Sequence, residues 1–403
     1  MNERWINYQP PTQRVLSIDI MRGLTLFLML FVNDLYIPGV PSWLVHTEAS
    51  ADGMGLADWV FPGFLFMVGM SVPYAVRSRR KKGQSNSTIF GHIVLRTLSL
   101  LLIGVLIMNI DRLNPTLTGI DRNLWAILLY VSIFLIWNNY PTDSRHNKLY
   151  LTCRVMGIVG LVVLACIFRA GSSAEPAWLE IGWWGILGLI GWGYFAAATT
   201  FLLCGSKLLA NIAVWLFFIL LNIGNQIDLL KWFDFLTPVL GVLLSGNVPA
   251  IVLAGLVVGS LLSMPERRHK KLVLIIISLG IGCLLLGFFL RNWFIVSKIY
   301  GTPSWAMICN GVSMLIYVLL YFIVDVLGYY RWINMFGAAG KNSLTTYLAP
   351  DVIYFVCWGL GVPLFFYKQE TSQLLAVAGS LVWAMAMIGF AIALAKIHIR
   401  LKL

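Results

Sequence analysis

Between two long apolar runs near the start of the chain lies a polar stretch whose residues could do chemistry: Asn33, Asp34, His46, Glu48, Asp52 and Asp58. A neutral imidazole can take a proton near neutral pH. If a carboxylate orients one ring nitrogen, the other can deprotonate an amine or hydroxyl, which is what acyl transfer requires. His46 is the candidate base and Asp58 the candidate orienter. Asn33 could donate to a developing oxyanion or hold an acceptor, with an interhelical hydrogen bond as the plainer alternative. Asp34, Glu48 and Asp52 read as solvated loop carboxylates. A metal site built on His46 and Glu48 would lack a third ligand, so no metal is expected.

The elements that must position these residues are membrane helices. Of 403 residues, 59% are hydrophobic and only 11% charged, too few charges to cover a hydrated surface. Apolar stretches of the length that crosses a bilayer recur from Ile20 onward. Spans are expected at roughly 20–37, 56–76, 91–109, 121–138, 149–169, 181–202, 207–223, 247–264, 271–290, 303–324, 342–361 and 372–396. The fold class is therefore an all-α polytopic bundle of about twelve helices forming a single transmembrane domain over 1–403. Residues 1–19 read as a cytosolic N-terminal segment with no signal for cleavage, and 38–55 as the outer loop carrying His46. Asn33 falls about 20 Å along its helix from Ile20, at the depth where Asp58 opens the returning helix.

The formal charge of +12 could suggest a polyanion partner, but the cations sit in short loops, so no nucleic acid is expected. With the N-terminus inside, only Arg112, Arg122, Arg169, Lys231, Arg291, Lys298 and Lys368 of the 29 Lys and Arg fall outside. The inner side holds the RSRRKK run (77–82), Arg145, Lys148, Lys207, the ERRHKK run (266–271), Arg331, Lys341, Lys396, Arg400 and Lys402. This bias predicts both termini in the cytosol. Trp43, Trp178, Trp183, Trp184, Trp232, Trp293 and Trp305 read as an interfacial belt. The six cysteines show no paired spacing and read as packing residues.

The opening region resembles the heparan-alpha-glucosaminide N-acetyltransferase family of transmembrane acyltransferases. The similar elements are SIDIMRG with Asp19 and Arg22, FVND with Asn33, His46, and GLADWVFPGFLFMVGMS with Asp58. Looser matches follow in the family's order: LRTLSLLLIGVL from Leu95, SGNVPAIVLAGLVVGSLL from Ser245, SKIYGTPSW from Ser297 and GKNSLTTYL from Gly340. The resemblance maps the family's active-site histidine onto His46 and its asparagine and aspartate onto Asn33 and Asp58. RNLWAILLY lacks the family's glutamine-arginine pair, the sixth and seventh spans look additional to a ten-helix core, and no lumenal domain precedes the first span, pointing to a bacterial-type member.

The resemblance implies transfer of an acetyl group from cytosolic acetyl-CoA to a glucosamine-like sugar beyond the bacterial cytoplasmic membrane. The donor's phosphates would need cations or backbone N–H groups on the inner side. Candidates are Lys341, Asn342 and Ser343 in GAAGKNS, together with Arg22 and Arg96 near the inner ends of their spans. The sugar acceptor and the bilayer are the other partners, and a homodimer is left open. O-acetylation of an envelope polysaccharide, or a sugar transporter or flippase using the same polar groups, are the competing readings.

Overall fold

The computed structural model describes residues 15–35, 40–141, 146–264, 269–362 and 372–403. Arg145, residues 266–268 of the basic run, Lys368 and residues 1–14 lie outside these. The principal helices are α1 Leu16–Asp34, α2 Leu56–Lys81, α3 Asn86–Met108, α4 Arg122–Trp137, α5 Asn147–Ile167, α6 Gly185–Cys204, α7 Leu208–Gln226, α8 Asn247–Leu262, α9 His269–Leu290, α10 Pro303–Tyr321, α11 Ser343–Gly359 and α12 Gln373–Lys396. Among the described residues, ten helical stretches are long and apolar enough to cross a membrane. The shorter α4 and α11 occupy the two remaining expected positions. The protein is an all-α polytopic membrane protein. Among the described residues the strands are a single pair of two-residue segments, Ala170–Gly171 and Pro176–Ala177.

Several helix starts follow from local chemistry. Asp121 accepts from the backbone N–H of Asn123 and Leu124 to start α4, and Ser85 accepts from Thr88 N to start α3. α1 lacks a local side-chain cap. Asp325, just beyond α10, takes that place by accepting from Leu16 N at 3.3 Å and Ser17 N at 3.2 Å. Two unpaired N–H groups at the start of α1 are thereby satisfied across the bundle.

α8 is the central helix, buried at every position from Val248 to Leu262. It meets α2 through glycines. A Cβ on Gly69 would stand 1.8 Å from Val252 O, and one on Gly255 would stand 1.9 Å from Phe66 O. This is the small-residue packing that lets helix backbones touch in lipid, where apolar burial no longer drives association. The α6–α7 hairpin divides. Most of α6 is buried, with Gly193 against Val252 of α8, whereas α7 lies at the rim.

α1 and α2 run antiparallel, so each contributes to both ends of the bundle. One face holds the 40–55 loop and the connection between α9 and α10. The opposite face holds the basic end of α2, where Arg77 bonds Ser206 Oγ at 2.7 Å and the carbonyl of Ser263, and Arg80 bonds Leu202 O at 3.1 Å. The segment at Arg400 is on that second face too, its carbonyl accepting from Asn139 N.

Candidate active site

Asp58 sits in the first turn of α2 with its side chain 2% exposed. Its Oδ2 accepts from Gly55 N and Thr47 N, both at 3.0 Å, which closes the helix start and pins the returning loop. Gly55 is required for this fold-back, because a Cβ there would lie 2.1 Å from Val45 O. Oδ1 lies 2.7 Å from His46 Nδ1. Asp58 is acceptor-only when ionised, so the geometry assigns the proton to Nδ1 and leaves Nε2 with its lone pair. The His46 side chain is 50% exposed, so Nε2 is accessible while the orienting carboxylate is dry. The structure brings this pair together.

Asn33 lies exposed at the last turn of α1, and among the described residues no hydrogen bond or ion pair links it to His46 or Asp58. Its neighbour Asp34 departs from expectation. Instead of a solvated carboxylate it is 4% exposed, accepting from Tyr354 Oη at 2.5 Å, while its carbonyl accepts from Ser380. The cause is that α1 continues through Asp34, turning the side chain inward against α11 and α12. Asp52 is also engaged. It accepts from Arg291 Nε and Val296 N, both at 2.8 Å, and the Val296 amide followed by the Arg291 guanidinium holds its carboxyl below the ordinary range. Glu48 is exposed.

These Asp52 contacts bring in a residue that local reading missed. The 291–302 connection is laced to the His46 loop by Asp52, by Gly53 N to Val296 O at 3.1 Å, and by Ser297 Oγ to Ala49 O at 2.8 Å. The next residue, Lys298, projects to His46. Its Nζ is 3.3 Å from Nδ1, 3.5 Å from Nε2 and 3.3 Å from Ala57 O. Burial pushes the Lys298 ammonium below its ordinary value, against the opposing pull of Asp58. In the sequence it appears only as one of the seven outer-side cations and within SKIYGTPSW.

On the opposite face a cavity of about 610 Å³ opens between the start of α1 and the end of α2. Arg22, Arg77, Lys81, Tyr74 and Ser71 are among its lining residues. Arg22 pairs with the buried Asp19 at 2.7 Å. The other proposed donor-binding residues are elsewhere. Arg96 lies over the Tyr194 ring, 4.6 Å from its centroid. Gly337 and Gly340 do not form a loop but belong to the helix Asn334–Lys341, which presses on α1: a Cβ on Gly340 would stand 2.0 Å from Asp19 O. Lys341 is exposed at the end of that helix, and Asn342 Nδ2 donates back to Ala338 O. Among the described residues no cluster of three His, Cys, Asp or Glu has metal-binding geometry.

A family described as a domain of unknown function, DUF5009, matches residues 14–224, just over half of the chain. The chain belongs to this family. Its match runs from before α1 through α7, so it takes in His46, Asp58 and the α6–α7 hairpin. The DUF5009 chain is also 39% identical over 189 residues to heparan-alpha-glucosaminide N-acetyltransferase from Mus musculus, covering 43% of this chain and 26% of that protein. Against the Homo sapiens protein of the same name it is 37% identical over 100 residues, 25% of this chain and 14% of the other. The aligned part is thus about a quarter or less of each relative's length. The acyltransferase family resemblance drawn from the motifs is borne out by these matches.

Proposed function

We propose that this protein is a transmembrane acetyltransferase that moves an acetyl group from acetyl-CoA on the basic face to an amino sugar on the His46 face. The observation that carries the reading is the 2.7 Å contact between the exposed His46 and the buried Asp58, with Nε2 left open to an acceptor. His46 takes the acceptor proton and Asp58 fixes the tautomer. Asn33, at the rim of the same face, helps position the acceptor.

The donor's nucleotide end lies in the cavity lined by Arg22, Arg77 and Lys81, where cations suit phosphates. Arg96, Lys341, Asn342 and Ser343 stand outside its lining. From Ser71 to Asp58 along α2 is about 20 Å at 1.5 Å per residue, the stretch the slender pantetheine arm has to span. On this reading the basic face is the cytosolic one, by the inside-positive bias of the loops, with both termini inside and the membrane a bacterial cytoplasmic one.

The test is acetyl transfer from radiolabelled acetyl-CoA to a panel of amino sugars by reconstituted protein, with His46→Ala alongside. Label on an amino sugar, reduced about 10²- to 10⁴-fold in the variant, is expected from loss of a general base. Wild-type protein that binds no acetyl-CoA and transfers no label, or a variant as active as wild type, would overturn the reading.

A further inference from the structure

We infer that Lys298 is a catalytic residue whose ammonium stabilises the oxyanion formed when the acceptor attacks the acetyl thioester. The inference rests on the acetyltransferase reading and adds a group that reading lacks. A histidine and a carboxylate account for the proton. For the negative charge on the carbonyl oxygen they leave only Asn33 as a candidate donor, which is exposed and among the described residues shares no hydrogen bond with either residue, and preorganised stabilisation of that charge is commonly the largest single contribution to such a reaction.

Lys298 is placed for it. Nδ1 carries its hydrogen toward Asp58, so the ammonium 3.3 Å away is a neighbouring charge and not a hydrogen-bond donor to that nitrogen. The contact to Nε2 is 3.5 Å, longer than a good N–H···N bond and easily yielded to a substrate oxygen. One N–H is aimed at Ala57 O. An ammonium has three donors, so others remain for a ligand that reaches Nε2.

The position is also built rather than accidental. The residues just before Lys298 are fastened to the His46 loop by Asp52 and by the Ser297 to Ala49 bond. Behind them, Ser297 N donates to Thr302 Oγ1 at 3.1 Å and Ser304 Oγ to Ile295 O at 2.8 Å. The cation is thus held before substrate arrives, so little reorganisation is needed during the reaction.

The acceptor nitrogen forms a bond to the thioester carbon while its proton passes to His46 Nε2, and the carbonyl π pair moves onto oxygen beside Lys298 Nζ. Collapse restores the carbonyl and breaks the C–S bond. CoA leaves as thiolate and takes the proton from the imidazolium, so His46 ends neutral.

The experiment compares wild type, Lys298→Met, Lys298→Arg and His46→Ala as full-length protein in proteoliposomes, with acetyl-CoA and an amino sugar the wild type accepts. Lys298→Met keeps the side-chain length without the charge. Its kcat is expected to fall about 10²-fold, with both KM values within threefold of wild type. Lys298→Arg should recover at least tenfold of that loss, and melting temperatures identify any variant damaged by misfolding. A Lys298→Met kcat within threefold of wild type overturns the inference. So does a raised acceptor KM at unchanged kcat, which would mark Lys298 as a site for an anionic part of the acceptor. Equal damage from Met and Arg overturns it as well. If wild type transfers and His46→Ala does not, any of these results removes Lys298 alone; if wild type transfers nothing, both readings fall.

Discussion

The two ends of the α1–α2 pair are built on opposite principles. At the His46 end a single buried carboxylate is saturated: Asp58 holds two backbone N–H groups with one oxygen and an imidazole with the other. At the opposite end an open cavity gathers cations whose partners are dispersed, Arg22 on Asp19 and Arg77 on Ser206 and the Ser263 carbonyl. The first arrangement has one allowed tautomer and little freedom, as proton transfer needs. The second is a set of charges around a space, as binding a polyanionic group needs. Substitutions should therefore act on kcat at one end and on KM at the other.

The largest effect is expected from Asp58→Asn. An amide has one acceptor and one donor group in place of two acceptors. If its oxygen keeps Thr47 and Gly55, its NH₂ faces His46 Nδ1 and forces the ring proton onto Nε2, the atom proposed to accept the acceptor's proton. A fall in kcat of roughly 10³- to 10⁴-fold is expected, as for a wrong-tautomer catalytic histidine elsewhere. Steady-state kinetics at matched folded fraction would check it. A loss confined to KM would mean that Asp58 only shapes the loop.

A smaller effect tests the other end. Arg22→Gln should raise the KM for acetyl-CoA about tenfold, the scale of one charged hydrogen bond, while kcat holds. Asp19 loses this cation in the variant, so a melting curve accompanies the assay and Arg22→Lys serves as the charge-preserving control. A change in kcat with KM constant would erase the division between the two ends.

How far these ends could be read in advance follows from how local each is. The span expected at 121–138 is helix Arg122–Trp137, and that at 342–361 is Ser343–Gly359, because apolar length and flanking polar residues set where a helix can stop in lipid. His46 and Asp58 are twelve residues apart on one turn of chain, so their meeting needed only the direction of α2. Lys298 reaches the same point from 252 residues away through a loop whose register depends on Asp52, which no local pattern encodes. Asp34 misled because its burial depends on Tyr354 and Ser380, far along the chain. The glycines of GAAGKNS misled differently. A close helix approach and a phosphate loop both require glycine, and only the observed contact with Asp19 tells them apart.

The smallest effect expected concerns the tie that carries Lys298 to His46. Asp52 has its carboxyl held below the ordinary value by Val296 N and Arg291. A carboxylate with a lowered folded pKa contributes stability above its unfolded value, about 4, and that contribution is lost as pH falls through the folded value. Wild type should therefore melt higher than Asp52→Asn at pH 7, and the gap should narrow as pH falls below about 4. The pair is partly exposed, with side chains 45% and 38% accessible, so salt should narrow the gap as well. Tryptophan-emission melting curves from pH 7 to pH 3 in low and high salt would measure it. A gap independent of pH and salt would mean that Asp52 holds the two loops by shape, and the rigid placement of the His46 end would then owe nothing to charge.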